Sequence, residues 1–472
     1  MASQNIAFEK IGSSNRKPSV LAEFNIRMAT RGLPGNRQTT LIIGQKTAAG
    51  SLAALTLTNV FSDVEAAQLC GYGSQIHRMV LKTLKANKYS NISIMALADA
   101  AGVAASWPIT VAGVPTAGGV FSLALNDDII EVATATTDTP TTIAAAIVTA
   151  ITSRPELAFS AENEAGVATI EAKNKGTVAN AFKVTVAGTT PGITLSVGAQ
   201  VPGTIDPDIT AALTAAFIGG HDQVVIAYKD APNVVALRNH IDAVSDPAEK
   251  RWALGFVGSN GSFATAMALS ASIGHGFINN PWCRNTTTPT MEIAAAYAAV
   301  IAANEDPALG YDNVEVKGIA VPLVIDRTSR TEEESALYNG LAPLSVGPGE
   351  RVQIVRAVTT YTVNAAAVPD VAWLDITTPR TMKYVAKVFI EDRARTYLGG
   401  KITDRRIAAM RDRGIVLLKM LEDLEIIEAV DDNLDDYIVE RDLQDVSRVN
   451  ERIPVDVVNN LHIIAERFDL LL

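Results

Sequence analysis

Few residues in the chain could do chemistry. Its five histidines, His77, His221, His240, His275 and His462, include no metal-spaced pair such as HExxH. No GxSxG elbow occurs, so a hydrolase triad, which needs nucleophile, base and orienting acid in contact, has no local signature. The two cysteines, Cys70 and Cys283, can build neither a disulfide framework nor a thiolate metal site, and free thiols made in a reducing cytosol are expected. The most tempting stretch is Gly258-Ser259-Asn260-Gly261-Ser262, which follows an apolar run and precedes a helix, where α/β folds hold anions on helix N-termini. It lacks the Lys-Ser/Thr ending of a phosphate loop and the third glycine of a dinucleotide loop, which favours a tight structural turn over an anion-binding enzyme site. A basic cluster, Lys401, Arg405, Arg406, Arg411 and Arg413, interleaves with Asp404 and Asp412. A solvated helix face and a surface for a partner of complementary charge explain it equally well. None of this calls for a cofactor or a metal.

Composition narrows the classes. With 472 residues, 48% hydrophobic and 19% charged, the chain is globular and long enough for two to four domains. A formal net charge of -11 argues against general nucleic-acid or anionic-membrane binding, both of which need a basic surface. The opening run MASQNIAFEKIGSSNRK has no uninterrupted apolar stretch, so no signal peptide is expected. Residues Ile293 to Ala303 fall far short of the ~20 that span a bilayer, and a soluble protein is expected.

The elements that must carry these residues read in order. Residues 1 to about 24 resemble an extended arm ending in a short strand around Val20 and Phe24. Thr39 to Gly44 reads as a strand, followed by a polar loop, a helix from Ser62 or Asp63 to Cys70, a helix from Ser74 through Leu84, and a strand at Ile92 to Leu97. From Trp107 to about Pro202, Ala, Thr, Val and Gly dominate and short β-like runs appear at Phe121 to Leu125, Ile129 to Ala133, Val167 to Ala172 and Phe182 to Ala187. One helix with Asp138 and Pro140 at its start interrupts them. Alternating strand and helix then resume: strands at Val224 to Tyr228, Trp252 to Val257 and Gly276 to Asn279, helices after Asp230, after Ser262 and from about Thr290 to Ala303. A further strand is expected at Ile319 to Ile325 and a β-rich stretch at Gln353 to Thr362. Such alternation predicts a largely parallel sheet covered by helices on both faces. After Asp375 come two charged amphipathic helices, one opened by Thr378 and Pro379 and one from about Asp404, then an acidic turn at Asp431 to Asp436 and a strand at Tyr437 to Arg441.

The last stretch, Arg448 to Leu472, alternates: Ile453, Val455, Val457, Leu461, Ile463 and Ala465 fall at every second position with only Asn459 interrupting. This predicts one long strand. About thirteen extended residues reach roughly 43 Å, beyond the usual strand, and the unpaired backbone of such a ribbon invites a neighbouring subunit to pair with it. Closure of the chain's own sheet is the alternative.

Four long segments are distinctive: RGLPGNRQTTLIIGQKTAAG at Arg31 to Gly50, LCGYGSQIHRM at Leu69 to Met79, DITTPRTMKYVAKVFIEDRARTYLGGKI at Asp375 to Ile402 and RVNERIPVDVVNNLHIIAERFDL at Arg448 to Leu470. In these segments the chain resembles the tail sheath proteins of contractile-tailed phages, above all the Mu-type branch. The resemblance implies a structural protein without enzymatic activity or cofactor, forming stacked hexameric rings around a tube and exchanging arms with its neighbours. The organisation expected is an N-terminal arm (1–30), a mixed, largely parallel α/β core (31–97 and 205–374), an inserted α+β or β-sandwich-like outer domain (98–204), a helical inner region (375–447) and a C-terminal arm strand (448–472). Arm residues would be Val20, Phe24, Ile453, Val455, Val457, Leu461 and Ile463, and the basic cluster could meet the tube. Partners implied are further copies of the chain, a tail tube protein, and baseplate and tail terminator proteins, without direct nucleic-acid contact or membrane insertion. The setting is a phage tail assembled in the host cytoplasm. Other readings are the anion-binding α/β enzyme and a tail component that assembles without contracting.

Overall fold

The computed structural model describes residues 33–188 and 190–470. The arm expected around Val20 and Phe24 lies outside these residues. The chain begins with β1 (Thr39–Gln45), β2 (Leu57–Val60), α1 (Asp63–Cys70), α2 (Gln75–Ala86) and β3 (Asn91–Leu97). After an intervening β-rich region it continues through α4 (Thr210–Ala216), β11 (Gln223–Ile226), α5 (Ala231–Val244), β12 (Leu254–Phe256), α6 (Phe263–Ile273) and β13 (Ile278–Asn279). These strands form one six-stranded sheet in the order β13-β12-β11-β1-β3-β2, parallel except for β2 at the edge. Leu41, Ile42 and Ile43 are consecutive and fully buried, which requires cover on both faces and explains why β1 is a continuous apolar run. Helix starts follow local capping: the Ser62, Ser74, Asp230 and Ser262 side chains accept from backbone N–H groups of their own first turns.

The intervening region holds β4 (Ser106–Gly113), β5 (Gly119–Leu125), β6 (Asp128–Thr134), α3 (Pro140–Thr152), β7 (Phe159–Glu164), β8 (Val167–Ala172), β9 (Val184–Ala187) and β10 (Ile193–Val197). It forms two antiparallel sheets, β10-β4-β8-β7 and β6-β5-β9. Their apolar interior is continuous with that of the parallel sheet. A buried ion network spans the junction. Arg78 on α2 donates to Glu292 (Nε to Oε1, 2.8 Å) and lies 3.1 Å from Asp128, while Lys82 reaches Asp127 and stands 3.2 Å from Glu292. Glu292 sits on α7 (Thr290–Ala303), which follows β14 (Pro281–Trp282) and is buried almost throughout because its alanines let it lie close against α2 and the sheet.

The chain then runs through α8 (Arg330–Tyr338), β15 (Ala342–Gly347) and β16 (Arg351–Ile354) to α9 (Thr377–Thr396), α10 (Asp404–Asp423), β17 (Ile427–Glu428), β18 (Ile438–Arg441), β19 (Val449–Arg452) and β20 (Asp456–Val457). Three expectations need correction. Ile319 to Ile325 is not a strand: it is irregular, ending in a 3-10 turn at Val324–Asp326, and Leu323, Val324 and Ile325 face solvent, so no ladder or core holds the run extended. The polar loop before α1 contains edge strand β2, which alternates about one buried residue. Asp138 and Pro140 do stand at the start of α3, where Thr139 supplies the cap and Asp138 accepts from Ala135 N–H. The terminal stretch is not one long strand but the short β19 and β20, each paired within the chain, followed by residues 458–470 without regular structure.

Candidate assembly surface

Beyond residue 375 the chain builds a unit with its own apolar cluster. Tyr384, Val385, Val388 and Phe389 recur at helical spacing on α9 and meet Leu417, Leu418 and Leu421 on α10. Ile427, Val430 and Tyr437 close the cluster, while Leu33, Ile453 and Val455 pack at its rim. The Thr403 side chain accepts from Arg406 N–H and starts α10.

A polar network pins the β18–β19 hairpin to this helix pair. Arg393 donates to both Glu451 oxygens, at 3.1 and 2.6 Å, and to the Tyr437 hydroxyl at 3.1 Å; that hydroxyl donates to Glu451 at 2.6 Å. Burial and the neighbouring Glu451 push the Tyr437 phenol well above its usual range, so it acts as a neutral donor. Arg393 also lies 3.0 Å from Asp392, which takes a forked contact from Arg413 (Nε at 2.7 and 2.9 Å). Gly414 permits the close approach: a Cβ there would stand 1.7 Å from the Tyr437 hydroxyl and 2.8 Å from Arg393. Sequence reasoning missed this network. The available signal was Arg393 itself, a charge interrupting the apolar stripe of α9.

The basic cluster divides. Arg413 is held by Asp392, Arg411 donates to the Tyr437 and Leu434 carbonyls, and Arg406 donates to Thr396 O while lying over the Tyr397 ring. Only Lys401 and Arg405 remain exposed and without an ion pair among the described residues, so the five cations do not form one free face.

The predicted arm residues divide as well. Ile453 and Val455 are half-buried on the chain's own cluster, and Val457 pairs with Ile427. Asn460 then donates to the Thr377 hydroxyl at 3.0 Å, and His462 Nδ1 lies 2.5 Å from Asp312, with Nε2 3.7 Å from Asp375. Leu461 and Ile463 point into solvent at 75% and 82% exposure, as do Ile464, Phe468 and Leu470. The hairpin β18–β19 is a two-stranded sheet. Beside it runs a groove of about 530 Å³ lined by Phe389, Tyr397, Ile402, Ile407, Val449 and Ile453. Such an arrangement can accept an added strand with apolar side chains.

The sites weighed for catalysis serve structure. In the Gly258–Ser262 turn, the Ser259 hydroxyl donates to Asn280, the Asn260 amide donates to Thr288 O, Trp282 Nε1 donates to Gly261 O, and Ser262 caps α6. A Cβ on Gly258 would lie 2.1 Å from Thr290 O. His77 Nδ1 accepts from Gly73 N–H at 2.9 Å, and burial holds the His77, His221 and His240 imidazoles neutral to lower pH than usual. His275 lies 2.9 Å from Asp242. Among the described residues, no three His, Cys, Asp or Glu side chains group as a metal site, and no helix is long and apolar enough to cross a membrane.

Residues 204–360 match the phage tail sheath protein central domain and residues 368–470 the phage tail sheath C-terminal domain. The chain is 24% identical to a Mu-like prophage tail sheath protein of Haemophilus influenzae, over 99% of this chain and all of that one. Its fold is similar to a sheath tail protein of Desulfitobacterium hafniense (TM-score 0.50, 13% identity, 90% of this chain and 93% of the other). It is also similar to the helical sheath of the anti-feeding prophage in its contracted state (TM-score 0.50, 10% identity, 97% and 99%). The chain thus belongs to the family of contractile phage tail sheath proteins.

Proposed function

We propose that this chain polymerises into stacked hexameric rings around an inner tube, and that shortening of the polymer drives the tube through a bacterial envelope. The observation that carries this reading is the terminal segment. Residues 458–470 have no ladder partner among the described residues, yet they carry Leu461, Ile463, Ile464, Phe468 and Leu470 into solvent. A chain of this composition needs something to bury that surface, and a second copy offers a bare hairpin beside an apolar groove. The donated arm is therefore narrower than the terminal alternation suggests: Ile453, Val455 and Val457 root it, and Leu461 and Ile463 open the part that is lent.

In this assembly residues 31–97 and 205–374 form the core, 98–204 project outward, 375–447 face the tube, and the N-terminal arm 1–30, with Val20 and Phe24, together with the part of 448–472 beyond its root, ties neighbours together. Baseplate and terminator proteins would close the polymer's ends, and the setting is the phage tail. Of the five cations considered for the tube, Lys401 and Arg405 are the ones exposed and without an ion pair among the described residues, which favours them for an outside partner. The side chains of Ser259 and Asn260 and the Gly261 carbonyl are engaged in internal hydrogen bonds, which supports a structural turn at Gly258–Ser262. Electron microscopy of the purified chain tests the proposal: hollow tubes with ordered rings are expected, and a monodisperse monomer at all concentrations would refute it.

A further inference from the structure

Most charges at the two ends of α10 run against its own dipole. Backbone N–H groups make a helix N-terminus partly positive and carbonyls make the C-terminus partly negative, so stability favours acids first and bases last. Asp404 obeys this rule in the first turn and lies 3.6 Å from Arg441, but Arg405 and Arg406 stand in the same turn and Glu422 and Asp423 in the last, with no basic residue in that last turn. Arg406 and Glu422 have partners within the chain, Thr396 O for the first and Lys419 for the second. Arg405 and Asp423 are exposed and form no ion pair among the described residues; the same holds for Lys401 before the helix and Glu425 after it. Local stability therefore does not account for these four charges.

Each end also carries an exposed leucine. Leu398, 84% exposed, accompanies Lys401 and Arg405, and Leu424, 54% exposed, sits between Asp423 and Glu425. The two patches match in both chemistries, apolar against apolar and base against acid. They lie at opposite ends of a 20-residue helix, roughly 30 Å apart, so one copy cannot bring its own pair together.

Building on the self-assembly proposed above, we propose that the α9–α10 turn of one copy, with Leu398, Lys401 and Arg405, docks on the far end of α10 of the next copy, at Leu424, Asp423 and Glu425. Because the two patches differ, the contact is head-to-tail, and repetition generates a ring or an open helix rather than a closed pair. Complementary charge sets which ends meet and makes assembly salt-sensitive, while the leucines supply the dry centre.

The test uses two charge-reversed full-length chains, Lys401→Glu with Arg405→Glu and Asp423→Lys with Glu425→Lys. Arg405→Glu and Asp423→Lys both bring α10 into line with its dipole, so each free chain is expected to melt no lower than the parent. Each alone is expected to need at least about tenfold more protein to form sheaths, and a mixture of the two is expected to co-assemble at the parental concentration. Parental assembly by each variant alone would overturn the contact and leave self-assembly standing, as would a mixture that fails like its components. A basic-reversed chain that polymerises normally but no longer holds purified tail tube would assign Lys401 and Arg405 to the tube and overturn it too. A parent that never polymerises would instead remove the self-assembly reading on which the contact rests.

Discussion

Ending the chain after His462 separates assembly from folding. Residues 463–470 make no ladder bond among the described residues, and Ile463, Ile464, Phe468 and Leu470 are 72 to 90% exposed, so their loss should change the free chain's stability by no more than about 0.5 kcal/mol. In an assembled strand one face is buried, so two or three of these side chains at about 1.5–3 kcal/mol each give on the order of 5 kcal/mol per copy before the strand's ordering cost. If only a quarter of that survives, the association constant falls about tenfold. The expected result is an unchanged melting temperature, with light scattering and electron microscopy finding no sheaths at concentrations where the full chain forms them. Sheaths from the shortened chain at the parental concentration would refute strand donation. A deletion from residue 448 cannot serve, because it strips β19 and Glu451 and leaves Arg393 and the Tyr437 hydroxyl without their partner. Loss of assembly would then follow from damage to the subunit itself.

Two further predictions concern the subunit. Gly414→Ala gains about 1 kcal/mol of helix propensity but drives a methyl into the Tyr437 hydroxyl, and displacing that hydroxyl from Glu451 and Arg393 costs roughly 1–3 kcal/mol. Net destabilisation is expected, with faster hydrogen exchange in residues 438–452; unchanged exchange there would disprove the clash. Stability should also fall as pH drops from 6.5 toward 4, because burial lowers both His77 and His240 from 6.5 to about 4. In that window the unfolded chain holds the protons and the folded chain does not, so acid favours unfolding, by at most roughly 3 kcal/mol per histidine. Urea midpoints measured between pH 7 and 4.5 check the slope, and a flat profile would remove it.

Helix starts were legible because their determinants are local: Ser62, Ser74, Asp230 and Ser262 each cap the helix that follows within three residues. The parallel sheet was legible because burial on both faces leaves runs such as Thr39 to Gly44 with no polar alternation. Failures arose where a pattern depends on a distant partner. Ile319 to Ile325 is as apolar as a strand, but its later side chains lie in solvent, and hydropathy does not say which surface covers a residue. The terminal alternation predicts one strand but yields two short ones, because β19 and β20 find separate partners in β18 and β17. Charge runs are open for the same reason: the helical spacing of Arg411 and Arg413 does not reveal that a carboxylate and two carbonyls of the same unit already engage them.

Both ends of the described chain are rooted on α9. The Tyr384 hydroxyl donates to Pro34 O at 2.9 Å and Lys387 donates to Gly35 O at 2.8 Å, while Asn460 reaches Thr377 in the same helix. Seven to ten residues of helix separate these roots, about 10 to 15 Å. If neighbouring copies hold the arms while the body turns about α9, each root lies only ~5 to 8 Å from the pivot. A rotation of about half a radian then moves it by ~3 to 4 Å, close to the rise of a single strand residue. A few backbone dihedrals can absorb such a shift without breaking a ladder. The antiparallel β layers, coupled to the core through Arg78, Lys82 and Glu292, would sweep much further in the same turn. On the assembly proposed above, anchoring both arms on α9 would let the antiparallel β layers travel far while the ties to neighbours barely move.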